Sequence, residues 1–238
     1  VFRESVIVAR RRRPTPPAWG KSHLASLLPT AAAGKISAVI ISSVVPRLDR
    51  ALAAAVAKNC ALRPHFVSHR SDSGIHLKID RPAQLGADRI ADCAGALSLF
   101  PPPLIVIDSG TATTFDLINR RGEYCGGCIL PGLAIAARSL AESTAKLRPV
   151  ALRAPRSPLG TNTADSIRAG IYFGHVGALR HLIACYRGML GPRARVVATG
   201  GMLRCLKEEV PGIDAFEPDL IFHGLRCIHE RRAWGGGS

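Results

Sequence analysis

The stretch VIDSGTATTFD, at residues 106–116, decides the fold assignment. Its apolar start ends in Asp108, a Ser-Gly turn follows, and threonines lead into a second apolar run. Glycine lets a backbone approach a ligand without a Cβ, and backbone N–H groups together with threonine hydroxyls are good donors to phosphate. An aspartate at a strand end can hold a cation near such phosphates. The pattern predicts either a phosphate-binding hairpin or an ordinary β-hairpin with a Ser-Gly turn.

Apolar runs on both sides of this turn predict three strands in succession, with glycine turns between them. The strands are expected at 104–108, 111–118 and 122–130. The elements expected after them are helices at 134–145, 164–190 (broken or bent near 170–177), 202–209 and 220–230, and a strand at 195–199. Three meandering strands followed by alternating helix and strand is the ribonuclease H-like order.

The first part of the chain shows a similar alternation in a less complete form. Its expected strands lie at 5–9, 36–45 and 64–68, and its expected helices at 21–32, 48–60 and 88–100. Prolines at 101–103 interrupt the chain and mark a domain boundary. We expect an α/β protein with two ribonuclease H-like domains, at 1–102 and 103–232, and a flexible tail at 233–238. The first domain is expected to lack its opening strand.

Composition limits the classes of function. Hydrophobic residues make up 47% of the 238 residues, which suits globular domains. No apolar run approaches the roughly 20 residues of a membrane span. The net charge is +15, but no nucleic-acid motif accompanies it, so a solvated basic face is favoured over a nucleic-acid partner. The seven cysteines lie mostly in apolar segments, which is typical of a reducing cytoplasm rather than a disulfide framework.

A second candidate segment consists of Gly86, Ala87, Asp88 and Arg89, at the opening of a predicted helix. Asp88 could simply cap that helix or complement its dipole. Alternatively, Asp88 accepts a proton from an alcohol while the guanidinium of Arg89 grips a carboxylate. The residues alone leave both interpretations open.

Two further segments lie at the ends of predicted elements. Thr163, with Thr161 and Asn162, precedes the long helix, and any of the three could be its N-cap. Gly200 and Gly201 follow a strand, either as a tight turn or as a flat backbone platform for an adenine ring or a ribose.

In this order, the segments resemble motifs of the type III pantothenate kinases, which belong to the acetate and sugar kinase / Hsp70 / actin superfamily. Residues 86–89 match the family's G-A-D-R motif, and residues 108–114 are similar to its D-[FS]-G-T-A-T-T motif. The other matching segments are 40–46, 126–127 with 131–132, 160–163 and 198–201. Several motifs in the same order are more specific than any one of them.

The resemblance implies ATP-dependent phosphorylation of pantothenate to 4'-phosphopantothenate, the first step of coenzyme A biosynthesis. It implies Asp88 as the general base on the pantothenate hydroxyl. The pantothenate-binding residues that it implies are Gly86, Ala87, Asp88, Arg89 and Thr163. It also implies a homodimer.

For the nucleotide, the resemblance implies binding by Gly110, Thr111, Gly200 and Gly201. Asp108 would coordinate a monovalent cation, K⁺ or NH₄⁺, and Mg²⁺ would accompany ATP.

The sequence departs from the family pattern in two places. The family opens with a D-x-G-N-T phosphate loop, which is absent, and Val1 and Phe2 align with the residues that should follow it, so we expect an N-terminally truncated chain. Ile79 stands where the family often has an aromatic residue in contact with substrate. The alternatives to an active kinase are a non-catalytic relative with a binding or transcription-accessory role, or a fragment inactive through loss of that loop. A third alternative to a pantothenate kinase is another kinase of the superfamily, acting on a sugar or acetate.

Overall fold

The computed structural model describes residues 1–10, 36–144 and 147–235. The strands are β1 (Phe2–Arg3), β2 (Val6–Ile7), β3 (Ile40–Ile41), β4 (His65–Phe66), β5 (His76–Leu77), β6 (Leu104–Ser109), β7 (Ala112–Ile118), β8 (Glu123–Pro131), β9 (Arg195–Thr199) and β10 (Ala215–Phe216). The helices are α1 (Pro46–Cys60), α2 (Ala87–Leu99), α3 (Leu133–Glu142), α4 (Thr163–Leu190), α5 (Gly201–Leu206) and α6 (Leu220–Gly235). Short 3₁₀ helices lie at Pro82–Gln84 and Lys207–Glu209.

The chain divides into two compact units. The first comprises the described parts of Val1–Gly74, Arg81–Gly95 and Ile221–Ser238, and the second comprises Ile75–Asp80 and the described parts of Ala96–Leu220. The division of the sequence near residue 102 stays a prediction.

In the first unit, β1 and β2 form an antiparallel pair, and β3 and β4 form a parallel pair. Helix α1 connects β3 to β4, begins with Pro46 and ends at Cys60, and the C-cap residue Ala61 has φ +54°. A proline at the first helical position suits a helix start because its missing N–H would have no partner there. The strand predicted at 36–45 is confined to β3, because only its two residues pair with β4. The helix predicted at 21–32 lies outside the described residues.

The second unit is built on a six-stranded sheet in the order β10-β9-β6-β7-β8-β5. Strand β7 is antiparallel to β6 and β8, while β9 is parallel to β6 and β10 is parallel to β9. A three-stranded meander whose first strand then pairs in parallel with the next strand of the chain is the ribonuclease H-like order. The expected α/β class is therefore confirmed, and β5 adds a parallel edge strand beside β8.

Strand β6 lies inside the sheet, and its residues 104–107 are completely buried. This explains its continuous apolar run, since both of its faces are covered. Helix α4 packs Tyr172, Val176, Leu179 and Ile183 into the same core cluster as alternate residues of β6. Their spacing of three and four residues places them on one helical face.

The predicted break in the long helix is wrong, and the alternative of a bend stays a prediction. Helix α4 runs from Thr163 to Leu190 without interruption. Gly170, Gly174 and Gly177 lie on its exposed side, and a Cβ at any of the three would meet nothing within 4 Å. A glycine inside a helix costs only about 1 kcal/mol, and core packing on the opposite face outweighs that cost.

Candidate functional site

The carboxyl ends of β6 and β9 bring together two of the predicted nucleotide-site segments. In the parallel register, Asp108 pairs with Thr199, and Gly200 follows directly with φ +93°. A Cβ at Gly200 would lie 2.6 Å from Asp108 Oδ1 and would clash with the carbonyl oxygen of Ser109. Only glycine fits this position, because both its backbone angle and its neighbours exclude a side chain. Gly201, the first residue of α5, is exposed.

The turn between β6 and β7 is held by backbone contacts. The N–H of Gly110 donates to the carbonyl of Ala112 at 2.9 Å, and the N–H of Gly132 donates to the carbonyl of Thr111 at 3.1 Å. A Cβ at Gly132 would clash with the carbonyl oxygens of both Gly110 and Thr111. Gly110 and Thr111 are themselves exposed. The structure thus holds this turn in a fixed shape with its outer side open.

Beneath this turn lies a buried chain of polar groups. The hydroxyls of Ser109 and Thr113 are 2.8 Å apart, and Thr113 Oγ1 lies 3.3 Å from His175 Nε2. All three residues are buried, and burial lowers the pKa of His175 below its ordinary value. The chain joins the β6–β7 hairpin to α4. The sequence analysis missed His175, since one histidine on an apolar helical face carries no local signal.

The second aspartate of residues 106–116 lies in a different environment from Asp108. Asp116 is buried in the middle of β7 and accepts a hydrogen bond from the Tyr124 hydroxyl at 2.7 Å. It lies opposite Val106 of β6 and Gly127 of β8. A Cβ at Gly127 would clash with the Phe115 carbonyl, so this glycine serves the close approach of two strands.

The residues of the G-A-D-R segment lie in the first unit, at the start of α2. Asp88 is half-buried in the first helical turn, and its Oδ1 accepts a hydrogen bond from the N–H of Arg89 at 2.8 Å. A Cβ at Gly86 would clash with that same carboxylate oxygen. Ala87 is buried and Arg89 is half-buried. The backbone therefore orients the Asp88 carboxylate, as a helix-capping role and a catalytic role both require; the assignment of Asp88 as a base stays a prediction.

Thr163 is the first residue of α4, and it is exposed. The N-cap is Asn162, whose side-chain oxygen accepts a hydrogen bond from the N–H of Asp165 at 3.0 Å. Gly160 approaches this first turn so closely that a Cβ would clash with the backbone of Ser166. Because Asn162 supplies the cap, Thr163 is not required for that purpose.

The fold and the glycine-shaped turns define an α/β protein of the ribonuclease H-like class, with polar groups gathered at the carboxyl ends of two parallel strands. The family model described as type III pantothenate kinase matches residues 1–185. The chain belongs to the type III pantothenate kinase family.

Relatives in three bacteria illustrate this membership. Type III pantothenate kinases from Dehalococcoides mccartyi (strain CBDB1) and Thermomicrobium roseum are each 38% identical over 198 residues, which is 83% of this chain and 75% and 76% of theirs. The kinase from Geobacter sulfurreducens is 39% identical over 197 residues, covering 83% of this chain and 77% of its own.

A similar solved structure comes from Campylobacter jejuni, and its description assigns it to the Baf family of transcriptional activators. It aligns with a TM-score of 0.58 and 23% identity over 84% of this chain and 85% of its own. At that identity the similarity supports the fold alone. Among the described residues, no helix is both long and apolar enough to cross a membrane.

Proposed function

We propose that this chain transfers the γ-phosphoryl group of ATP to the hydroxyl of pantothenate, which gives 4'-phosphopantothenate and begins coenzyme A biosynthesis. The observation that supports this most is the close backbone approach at the carboxyl ends of β6 and β9, where Gly200 admits no side chain beside Asp108. In a member of this kinase family, such an approach suits a nucleotide and its phosphates.

The nucleotide-binding residues of the proposal are Gly110, Thr111, Gly200 and Gly201. The exposed Thr111 would donate its hydroxyl to phosphate oxygens, and the Gly200–Gly201 backbone would lie against the base or ribose. The N–H of Gly110 is bonded to the Ala112 carbonyl, so Gly110 would contribute by letting the phosphates approach the backbone without a Cβ. Phosphoryl transfer depends mainly on positioning and on neutralisation of charge, so a turn that is held by backbone contacts before the nucleotide binds favours it.

Asp88 is the proposed general base, which would take the proton from the attacking hydroxyl. Its half-buried position and its orientation by Gly86 and the Arg89 N–H support a fixed geometry. Arg89 would bind the pantothenate carboxylate, with Gly86, Ala87 and the exposed Thr163 completing the contacts.

The cations of the proposal are Mg²⁺, carried by ATP, and a monovalent cation, K⁺ or NH₄⁺. The described residues contain no group of three or more His, Cys, Asp or Glu side chains arranged for a metal ion. The half-buried carboxylate of Asp108 beside the Ser109 carbonyl, however, offers the oxygen ligands that such hard cations prefer. Since Mg²⁺ in kinases takes few protein ligands and is held largely by phosphates, this small donor set fits. A bound cation would neutralise charge on the phosphates.

The proposed assembly of the protein is a homodimer, and its proposed location is the cytoplasm. Family membership supports the homodimer, and the odd number of cysteines agrees with a reducing compartment.

The proposed function is tested by a coupled assay of ATP consumption with the purified chain. Consumption should require pantothenate, should increase with K⁺ or NH₄⁺, and should yield phosphopantothenate by mass spectrometry. ATP consumption that is equal without pantothenate, or that responds to a sugar or acetate instead, would overturn the assignment.

A further inference from the structure

A basic cavity lies beside the start of α4, and the Gly110–Thr111 turn is not part of its lining. It has a volume of about 440 Å³ and is formed by the segment before α4 and the first turns of that helix. Its charged lining residues are Arg153, Arg156, Arg168 and Asp165. Nothing in the proposed kinase reaction accounts for three arginines in this position.

One of the three arginines is already paired. Arg168 Nη1 lies 2.6 Å from Asp165 Oδ1, and its Nε donates to the carbonyl of Ala151 at 3.0 Å. Hydrogen bonds from Asn162 and Arg168 lower the pKa of the Asp165 carboxyl, so this residue stays ionised. Asp165 therefore neutralises one guanidinium.

The other two arginines are available to a ligand. Arg153 and Arg156 are exposed, and neither makes a hydrogen bond or ion pair with the residues that the structure describes. The charge of Arg153 also contributes to lowering the pKa of Asp165, but less than the hydrogen bonds from Asn162 and Arg168. Beside them, Ser157 Oγ accepts a hydrogen bond from the N–H of Leu159 at 3.0 Å, which leaves its hydroxyl proton to donate. Thr161 adds a second hydroxyl to the lining. The net formal charge of the lining is +2, from three arginines and one aspartate.

We propose that this cavity binds the phosphate group of a small ligand, held by Arg153 and Arg156 with Ser157 and Thr161 as additional donors. A phosphate dianion matches the charge of the lining. Guanidinium groups bind phosphate oxygens through paired N–H donors, and hydroxyls complete its acceptor sites.

A second basic cavity provides a matched comparison. It has a volume of about 580 Å³, lies at the opposite end of α4, and is lined by Lys78, Arg120, Arg121 and Glu123 among others. Its formal charge is also +2, and Lys78 is paired with Glu123 at 3.8 Å. Its wall includes the last residues of α4, where helix carbonyls oppose an anion. We therefore expect the anion to bind at the first cavity and not at this one.

The phosphate could be inorganic phosphate or the phosphate ester that the proposed reaction produces; the second source rests on the proposed function. Isothermal titration of the full chain with inorganic phosphate, 4'-phosphopantothenate and pantothenate separates them. The variants are R153Q/R156Q and, as the control with the same change in charge, R120Q/R121Q. Circular dichroism and thermal unfolding verify that both variants fold.

We expect R153Q/R156Q to weaken binding of a phosphate ligand by about tenfold or more, and R120Q/R121Q to leave it unchanged. Weaker binding of phosphopantothenate but not of pantothenate identifies the ester as the ligand, and weaker binding of inorganic phosphate alone identifies the free ion. Equal affinities in the two variants for every ligand would overturn the inference.

Phosphate could also bind at the Gly110 turn, so the titration is repeated with a saturating non-hydrolysable ATP analogue. The difference between the two variants should persist, and its disappearance would overturn the inference. Turnover is measured separately on the same preparations. If the chain shows no pantothenate-dependent turnover but the two variants still differ in phosphate affinity, the phosphate cavity is supported. That result would count against the proposed kinase activity alone.

Discussion

The carboxyl ends of β6 and β9 differ from the start of α2 in what determines their shape. At the strand ends, glycines are required because backbone meets backbone: a Cβ at Gly132 or Gly200 would clash with carbonyl oxygens. At the start of α2, a Cβ at Gly86 would clash with a side chain, the Asp88 carboxylate, and the three heavy atoms nearest to it all belong to side chains.

Because of this difference, we expect substitutions in the two regions to have different effects. A substitution at the strand ends displaces main chain in a sheet and should reduce both folding stability and nucleotide affinity. A substitution of the Asp88 side chain changes a chemical group while the backbone stays in place, so it should reduce turnover alone.

The largest expected effect is that of Asp88→Asn. If Asp88 is the base, turnover should fall by about 10²–10⁴-fold, because the amide cannot accept the hydroxyl proton. ATP affinity and the unfolding temperature should stay within error. Asp72→Asn, at an exposed carboxylate of the same unit, is the control and should retain turnover. Undiminished turnover in Asp88→Asn would remove this residue from the mechanism.

Gly132→Ala should have the next largest effect. The added methyl group must push apart the Gly110–Thr111 turn and the start of α3, at a cost of about 1–3 kcal/mol in the free energy of unfolding. The control is Gly170→Ala on the open side of α4, which should stabilise the chain by up to about 1 kcal/mol. Urea denaturation measures both. If the two variants had equal stability, the backbone contact at Gly132 would not be the constraint described.

Substitutions of Asp108 and Asp116, which lie in the same stretch of sequence, should distinguish an effect on ligand binding from an effect on stability. Asp108→Asn should weaken binding of the ATP–cation complex by about tenfold, which corresponds to the loss of one charge-assisted contact. Asp116→Asn puts an NH₂ donor in place of one oxygen of the buried carboxyl group to which the Tyr124 hydroxyl donates, so it should lower stability with little change in affinity. Titration calorimetry and thermal unfolding distinguish them, and an exchange of the two outcomes would contradict the assignment of Asp108 to the site.

The smallest expected effect concerns His175. Its pKa is lowered by burial, so the folded chain holds fewer protons than the unfolded chain as the pH falls through the ordinary histidine pKa of 6.5. Stability from the neutral imidazole is therefore present above that value and lost below it. His175→Gln should reduce the difference in unfolding temperature between about pH 7.5 and about pH 5.5. His65 has a pKa lowered chiefly by burial as well, so part of the pH dependence should remain.

The control for this measurement is His181→Gln, at an exposed position of the same helix. It should leave the pH dependence of unfolding unchanged. A His175→Gln profile that coincides with the unsubstituted chain would show that the buried polar chain does not contribute to acid sensitivity.

Much of the second unit could be predicted from sequence because its signals are long and local. Continuous apolar runs with glycine turns predicted β6, β7 and β9 to within about one or two residues. The two-residue strands β5 and β10 were missed, since two residues show no periodicity. The break expected in α4 failed because glycine propensity was weighed without the core packing on the opposite face.

Some features of the candidate site could likewise be predicted from the sequence, and others could not. Spacing along the chain indicated the segments at Asp108 and Gly200, but only the parallel register of β6 and β9 shows that they are neighbours. The contact of His175 with Thr113 spans 62 residues of sequence, so no local pattern could reveal it. The roles of Asp88 and Thr163 depend on the bound substrate, and they stay predictions.

The backbone contacts of Gly132 also have a thermodynamic consequence for the ligand. Because the Gly110–Thr111 turn is fixed against the end of β8 during folding, its conformational entropy is lost before any nucleotide arrives. Binding then involves little further ordering of this turn, and donors in a set geometry retain more of their interaction energy as affinity. In the proposed nucleotide site, the turn would thus be a preorganised receptor whose shape is determined by two amide–carbonyl hydrogen bonds and by the absence of one methyl group.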